Sequence, residues 1–323
     1  GNTEVLTNGT WIADWPAVVS NAVLVRAGGI VTHTATGATD LYKLNLAVAG
    51  NMTIDAGGSV DVQNKGYYGG NGPGATGGAS HGGRGGGRTV ACYGSVTAPV
   101  MLGSSGAYNG YGGGAVKLTV DGTLTVNGTI LANPLIFANY TGSGGSVWVT
   151  CGTLAGTGEV SANGGNLTDV ATTDTAGGGG RVAVYQTAAT AFSFEGTISA
   201  YGGKRGQGST VRPQASAGTV YLKSAGSVGR VVIANNNGTY SAYMTDFPVS
   251  EARFGDPVRT FRDIVFEARE SGTVNLMEDA VILDMDLQKG PTAAKTILLN
   301  DRVLTIRSLE HKDGAGWNYT SSA

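Results

Sequence analysis

The residue types that could do chemistry gather in one stretch. Residues 66–114 read GYYGGNGPGATGGASHGGRGGGRTVACYGSVTAPVMLGSSGAYNGYGGG, with glycine at roughly every second position of the first half. In this stretch, or just before it, lie Lys65, Tyr67, Tyr68, His81, Arg84, Arg88, Tyr93 and Tyr111. Flat rings and hydrogen-bond donors are what a sugar surface needs from a protein. Tyr67, Tyr68, His81, Arg84, Arg88, Tyr93 and Tyr111 are therefore candidate ligand-binding residues, joined by Lys204 and Arg205 of the later turn YGGKRGQGSTVR (201–212). A lyase acting on an acidic polysaccharide needs a base, and a cation to neutralise a uronate carboxylate. Lys65, His81, Arg84 and Arg88 are the candidates for those roles. A glycoside hydrolase wants paired carboxylates ~5 to 9.5 Å apart, and acids are sparse in this part of the chain, where Asp55 and Asp61 have no aligned partners. The plainer reading of 66–114 is a long loop folded back over the protein, with Tyr93, Val96, Met101, Leu102, Tyr108 and Tyr111 docking it.

Other chemistries find less support. The chain has only His33, His81 and His311, too few for a histidine metal cluster. No GxSxG elbow occurs, and GGRGGGR (82–88) lacks the GK[ST] of a phosphate loop. Calcium held between neighbouring coils stays open on the single pair Asp284 and Asp286, which reads more simply as a solvated pair, and no other metal or cofactor is expected. Cys92 and Cys151 lie far apart, without zinc-type or redox-type spacing, and read either as two buried thiols or as one disulfide. Sequons at Asn8, Asn51, Asn127, Asn139, Asn166, Asn237 and Asn318 follow largely from a composition rich in Asn, Gly and Thr. Thr53, Thr119, Thr123, Thr125 and Thr129 are too irregular, with Ser161, Ser193 and Ser199 in the neighbouring copies, for a threonine face that binds ice.

The elements that must position these residues repeat. KLNLAVAGNMTIDAGGSVDVQNKG (43–66), AVKLTVDGTLTVNGTILANP (115–134), GSVWVTCGTLAGTGEVSANGG (145–165) and GRVAVYQTAATAFSFEGTISAYGG (180–203) each open with an alternating strand and turn near a small residue. Each closes with a short strand, then Gly or Asn. Apolar residues recur at every second position, as in Leu44, Leu46 and Val48, or Val116, Leu118 and Val120, so one face points inward. A fifth copy begins at Gly218, and the tail continues the alternation through Val281, Leu283, Met285 and Leu287. Short strands joined by short turns cannot pair within a copy and must pair with the next one. That predicts an all-β chain forming a right-handed parallel β-helix, a solenoid with a long glycine-rich inserted loop. Asp121-Gly122 and Asn127-Gly128 could instead close hairpins, which keeps a β-sandwich as the alternative. Residues 1–42 are expected to supply an N-terminal cap and first strands, with a short helix around Trp11 to Val19. Residues 43–224 would hold the repeated strands and 225–323 further ones. The stretch 262–270 is the best candidate for a helical apolar stripe and reads equally well as a strand with Ile264 and Phe266 inward.

Composition agrees. Glycine is 55 of 323 residues without a three-residue period, which excludes collagen, and 41% hydrophobic content excludes simple disorder. Charged residues are 14% and the formal net charge is −2, so nothing draws nucleic acid or an anionic membrane, and no apolar run is long enough to span one.

The order GG[AS]V-x-[LV]-T, GTL, SANGG, GGGGR[VI]AVY, AGTVYLK, with the NKGYYGGNGPG…GGRGGG…YGS-x-TAP-x-x-LGS insertion, resembles glycine-rich β-helical segments of very large bacterial surface proteins over roughly residues 43–224. The resemblance implies a secreted or cell-surface module of a longer polypeptide, concerned with adhesion or with gripping polysaccharide or a host-surface glycan. It carries over no catalytic residue. A non-catalytic adhesive module is the expectation, and a β-helix lyase or hydrolase acting on an acidic glycan is the alternative.

Overall fold

The structure is a computed structural model. It describes the chain apart from residues 76, 87–89, 108–109, 136–139, 168–174, 205–214, 236–244, 248–263, 270–272, 277–279, 288–295, 299–303 and 311–323. Among the described residues there are strands and no helix.

The leading segment forms five three-residue strands, β1 (Thr3–Val5), β2 (Thr10–Ile12), β3 (Ala17–Val19), β4 (Val23–Val25) and β5 (Ile30–Thr32). The first copy supplies β6 (Leu44–Val48), β7 (Met52–Ile54) and β8 (Ser59–Asp61). In the next two copies the first two strands run together, giving β9 (Ala115–Val126) then β10 (Thr129–Leu131), and β11 (Ser146–Gly156) then β12 (Glu159–Ser161). The fourth copy holds β13 (Arg181–Gln186), β14 (Ser193–Phe194) and β15 (Thr197–Ser199), and the fifth opens with β16 (Thr219–Ser224). Beyond it come β17 (Arg230–Ala234), β18 (Thr245–Phe247), β19 (Ile264–Arg269), β20 (Thr273–Leu276), β21 (Ala280–Leu287), β22 (Thr296–Leu298) and β23 (Leu304–Glu310).

Each repeated strand pairs in parallel with its counterpart in the next copy. Leu44 faces Val116, Val116 faces Val147, Val147 faces Val182 and Val182 faces Val220 along one large sheet. A second sheet runs β15-β12-β10-β8-β5-β2, with Val31, Val60, Ile130, Val160 and Ile198 in one row. Among the described strands, β16 and β17 form the antiparallel exception. Asp121-Gly122 closes no hairpin, because it lies inside β9, and Asn127-Gly128 joins β9 to β10, which belong to different sheets. At the merged corner the β9–β11 register shifts between Cys151 and Thr153, so the chain bends without losing its partner.

Alternation becomes burial. Leu44, Leu46 and Val48 are buried while Asn45 and Ala47 are half-exposed. Their buried faces meet those of Val60, Ile130 and Val160 from the second sheet in one apolar cluster. Each such side chain contributes roughly 1.5–3 kcal/mol of burial. Asparagines fasten the copies where the second sheet ends. Asn163 donates its backbone N–H to Asn133 Oδ1 at 2.5 Å, and Tyr201 donates its own to Asn163 Oδ1 at 2.7 Å.

The helix expected around Trp11 to Val19 is instead the strands β2 and β3. Pro16 and the β-branched Val18 and Val19 favour extended backbone. β3 takes its hydrogen bonds from β6, with Ala17 opposite Leu46.

Candidate binding cleft

The glycine-rich insertion is packed into the protein rather than standing out from it. Its backbone exchanges hydrogen bonds with the glycine turns of later copies. Gly83 donates to the carbonyl of Gly179 (2.8 Å), Gly178 to Ala79 (2.8 Å), Gly86 to Ala176 (2.9 Å) and Ser216 to Arg84 (2.9 Å). The turn 176–181 thus meets the insertion directly, and Gly203 of the later turn donates to Gly177. Absence of side chains is what permits the approach. A Cβ on Gly82 would overlap the Gly180 carbonyl oxygen, and one on Gly180 would overlap that of Gly145.

This packing decides the fate of the candidate residues. His81 and Tyr93 are buried and stacked on each other, ring centroids 4.4 Å apart, and offer no surface to a polymer. His81 Nδ1 donates to the Gly144 carbonyl at 2.8 Å, while its Nε2 has no hydrogen-bond partner. Burial, with the nearby Arg181 charge, lowers the imidazole to about 3, so it stays neutral. Tyr93 Oη is bonded to the Leu102 carbonyl and Ser104 Oγ, both at 2.7 Å. Arg84 is committed to the buried Asp246 by Nε at 3.0 Å and Nη2 at 2.7 Å, and Asp246 also accepts the Cys92 N–H. Lys65 lies within electrostatic reach of His33, the other buried imidazole, which burial lowers to about 4. Tyr67 is largely buried, and Tyr68 and Tyr111 are half-exposed but stacked on each other at 4.3 Å. Lys204 is half-exposed, its backbone N–H held by Asn166 Oδ1. Arg88 and Arg205 fall outside the described residues. Of the proposed base and cations, His81 and Arg84 are therefore committed to interior partners.

Two residues that sequence reasoning passed over organise the buried side. Arg181, fully buried at the end of GGGGR, donates from Nε to the Tyr93 carbonyl (2.8 Å) and from Nη1 to Thr219 Oγ1 (2.9 Å). Asp246 anchors β18 to Arg84. Cys92 and Cys151 are free and buried, each thiol pushed up to about 12 by desolvation. No three His, Cys, Asp or Glu side chains converge among the described residues, and the side chains of Asp284 and Asp286 lie outside them.

An opening does exist on the outward face of the large sheet. A cleft of about 270 Å³ is lined by Trp15, Leu41, Lys43, Asn45, Val100 and Lys117, among others. Trp15 is 67% exposed, with Tyr42 edge-on to its ring at 6.2 Å, and Leu41 is 54% exposed. The pairing register places Asn45, Lys117 and Trp148 side by side on three adjacent strands, about 10 Å from first to last. The Lys117 Nζ sits over the Trp148 ring, 4.3 Å from its centroid. Half-exposed Thr119 and Thr150 form the next outward row. One wall is the insertion itself, since Thr97 O accepts from Tyr185 Oη at 2.8 Å and Met101 O from Ser146 Oγ at 2.6 Å, which holds Pro99 and Val100 against the opening.

Comparison with protein-family models, with curated proteins and with solved structures finds no match for this chain. The functional reading therefore rests on the geometry alone. Rings, aliphatic surface and a few amide, hydroxyl and ammonium groups share one face and make it amphipathic. The repeat contained a signal for it, because aligning the copies puts Asn45, Lys117 and Trp148 at one outward position.

Proposed function

We propose that this chain is a right-handed parallel β-helix module of a longer secreted or cell-surface protein, and that it binds polysaccharide without turning it over. Parallel pairing between successive copies, with asparagines linking their turns, supports the solenoid, and crossovers between parallel strands are overwhelmingly right-handed. The observation that carries the binding role is the outward cleft with Trp15 exposed at its mouth and Lys117 over Trp148. The ligand surface is the sheet face, with the insertion as its wall, in place of the glycine-rich edge. Burial of His81 and commitment of Arg84 to Asp246 argue against the lyase alternative.

The test is a polysaccharide array probed with the wild type and Trp15→Ala. Binding that falls about tenfold in the variant, ~1.4 kcal/mol, is expected, with no ultraviolet-absorbing unsaturated uronate formed from any acidic polymer. Wild-type binding to nothing on the array, or steady release of unsaturated product, would refute the proposal.

A further inference from the structure

The cleft contains two carboxylates and two ammonium groups, and their pairing is uneven. Lys43 Nζ is 3.0 Å from Asp40, a closed pair. Asp14 is occupied by Thr34, accepting its N–H at 2.6 Å and its hydroxyl at 2.8 Å. Lys117 has no carboxylate within ion-pair distance among the described residues; its ammonium rests on the Trp148 ring and is half-exposed. A cation held over a ring keeps its charge available to a second partner, and here it is held in a fixed place beside Asn45.

We propose that the cleft selects acidic polysaccharides, the Lys117 ammonium receiving an anionic group of the sugar while Trp15 and Leu41 take its apolar face. This rests on the glycan-binding reading above. An ammonium is a compact point charge without the bidentate fork of arginine, so the shared chemistry is a single anionic substituent, a carboxylate or a sulfate ester. Lys117 is a positioning and selectivity group, with no covalent step.

The test is equilibrium binding of the whole chain to four probes: a uronic-acid homopolymer, the same polymer with its carboxyls reduced to alcohols, that reduced polymer after sulfation, and poly-glutamate. The uronate polymer should bind about tenfold tighter than its reduced form, and the preference should shrink when salt is raised about tenfold. The sulfated arm tells which anion is preferred. Lys117→Gln should bring the acidic and reduced polymers to the same affinity, Lys117→Arg should restore the preference, and Trp15→Ala should weaken all the sugar polymers alike. Equal binding of acidic and reduced polymers by the wild type, or an unchanged preference in Lys117→Gln, overturns the inference and leaves glycan binding standing. Failure of every sugar polymer to bind overturns both. Poly-glutamate binding as tightly as the uronate, with the same dependence on Lys117, overturns the inference in favour of an acidic protein partner.

Discussion

Lowering the pH from 6.5 to 5 protonates the imidazoles of His33 and His81 in the unfolded chain and leaves both neutral in the folded one. His33 and His81 are both enclosed, at 0% exposure, and burial lowers them to about 4 and about 3. Because the folded values lie below the unfolded value of 6.5, the unfolded state binds more protons as the medium acidifies. Stability is full above pH 6.5 and falls with pH, until each folded imidazole finally titrates. The slope is about half of 1.4 kcal/mol per pH unit at pH 6.5, where the unfolded imidazole is half protonated, and approaches the full value below it, so between pH 6.5 and 5 each contributes a loss of about 1.6 kcal/mol, about 3 together. Most ordinary carboxylates remain ionised across that window, which isolates the histidine contribution. Urea midpoints measured every half unit of pH give the slope directly. His81→Asn retains an N–H donor for the Gly144 carbonyl and cannot titrate, so its absolute stability falls but its slope should drop by one proton's worth. A wild-type midpoint that stays flat over the window, or a His81→Asn slope equal to the wild type, refutes the assignment of two neutral buried imidazoles.

Three further outcomes follow from the packing. Gly180→Ala, whose Cβ would overlap the Gly145 carbonyl, should cost ~3 kcal/mol or more in urea unfolding; Gly37→Ala, at a positive φ of 71° with nothing within 4 Å, should cost only ~1–2 kcal/mol. Asn163→Ala removes the acceptor of the Tyr201 N–H and should lower stability by ~1–3 kcal/mol in the same assay. A thiol reagent should label Cys92 and Cys151 only after denaturant is added, since both are buried and held protonated; fast labelling of the native chain would contradict their placement.

The all-β character and the inward faces were legible because alternation is a local signal. Leu44, Val116, Val147, Val182 and Val220 could be aligned by eye, and they are in register. The merging of two strands into β9 was not legible. Asp121-Gly122 has the local chemistry of a turn, and the long-range pairing with β6, β7 and β11 holds the strand through it. Nor was the burial of the insertion, because a glycine run is compatible with solvent or with another backbone at van der Waals distance. The partners of Gly82 and Gly83 lie about a hundred residues away, at Gly180 and Gly179. Trp15 and Leu41 lie outside the strands and share no motif with Lys117, so only the fold brings these three to one cleft, whereas Lys117 and Trp148 are neighbours by register.

The insertion therefore does two opposite things to the residues it carries or covers. Where it is richest in glycine, it lies so close to the turns at 176–180 and 215–218 that His81, Tyr93 and Arg181 become interior groups, tied to Gly144, Leu102 and Thr219. Where glycine gives way to Thr97, Ala98, Pro99 and Val100, the backbone can no longer nest so closely, and it crosses the outward face with hydrogen bonds from Tyr185 and Ser146. The change in composition along the insertion is thus a change from filler to wall. The wall stands beside Asn45 and Lys117, where the sheet exposes polar side chains, so a ligand on this protein should be sensitive to Val100→Asp, which adds a carboxylate opposite Lys117, and indifferent to substitution of His81 that preserves folding. A His81→Asn variant that folds but loses polysaccharide binding, with Val100→Asp unaffected, would move the site back to the glycine-rich edge.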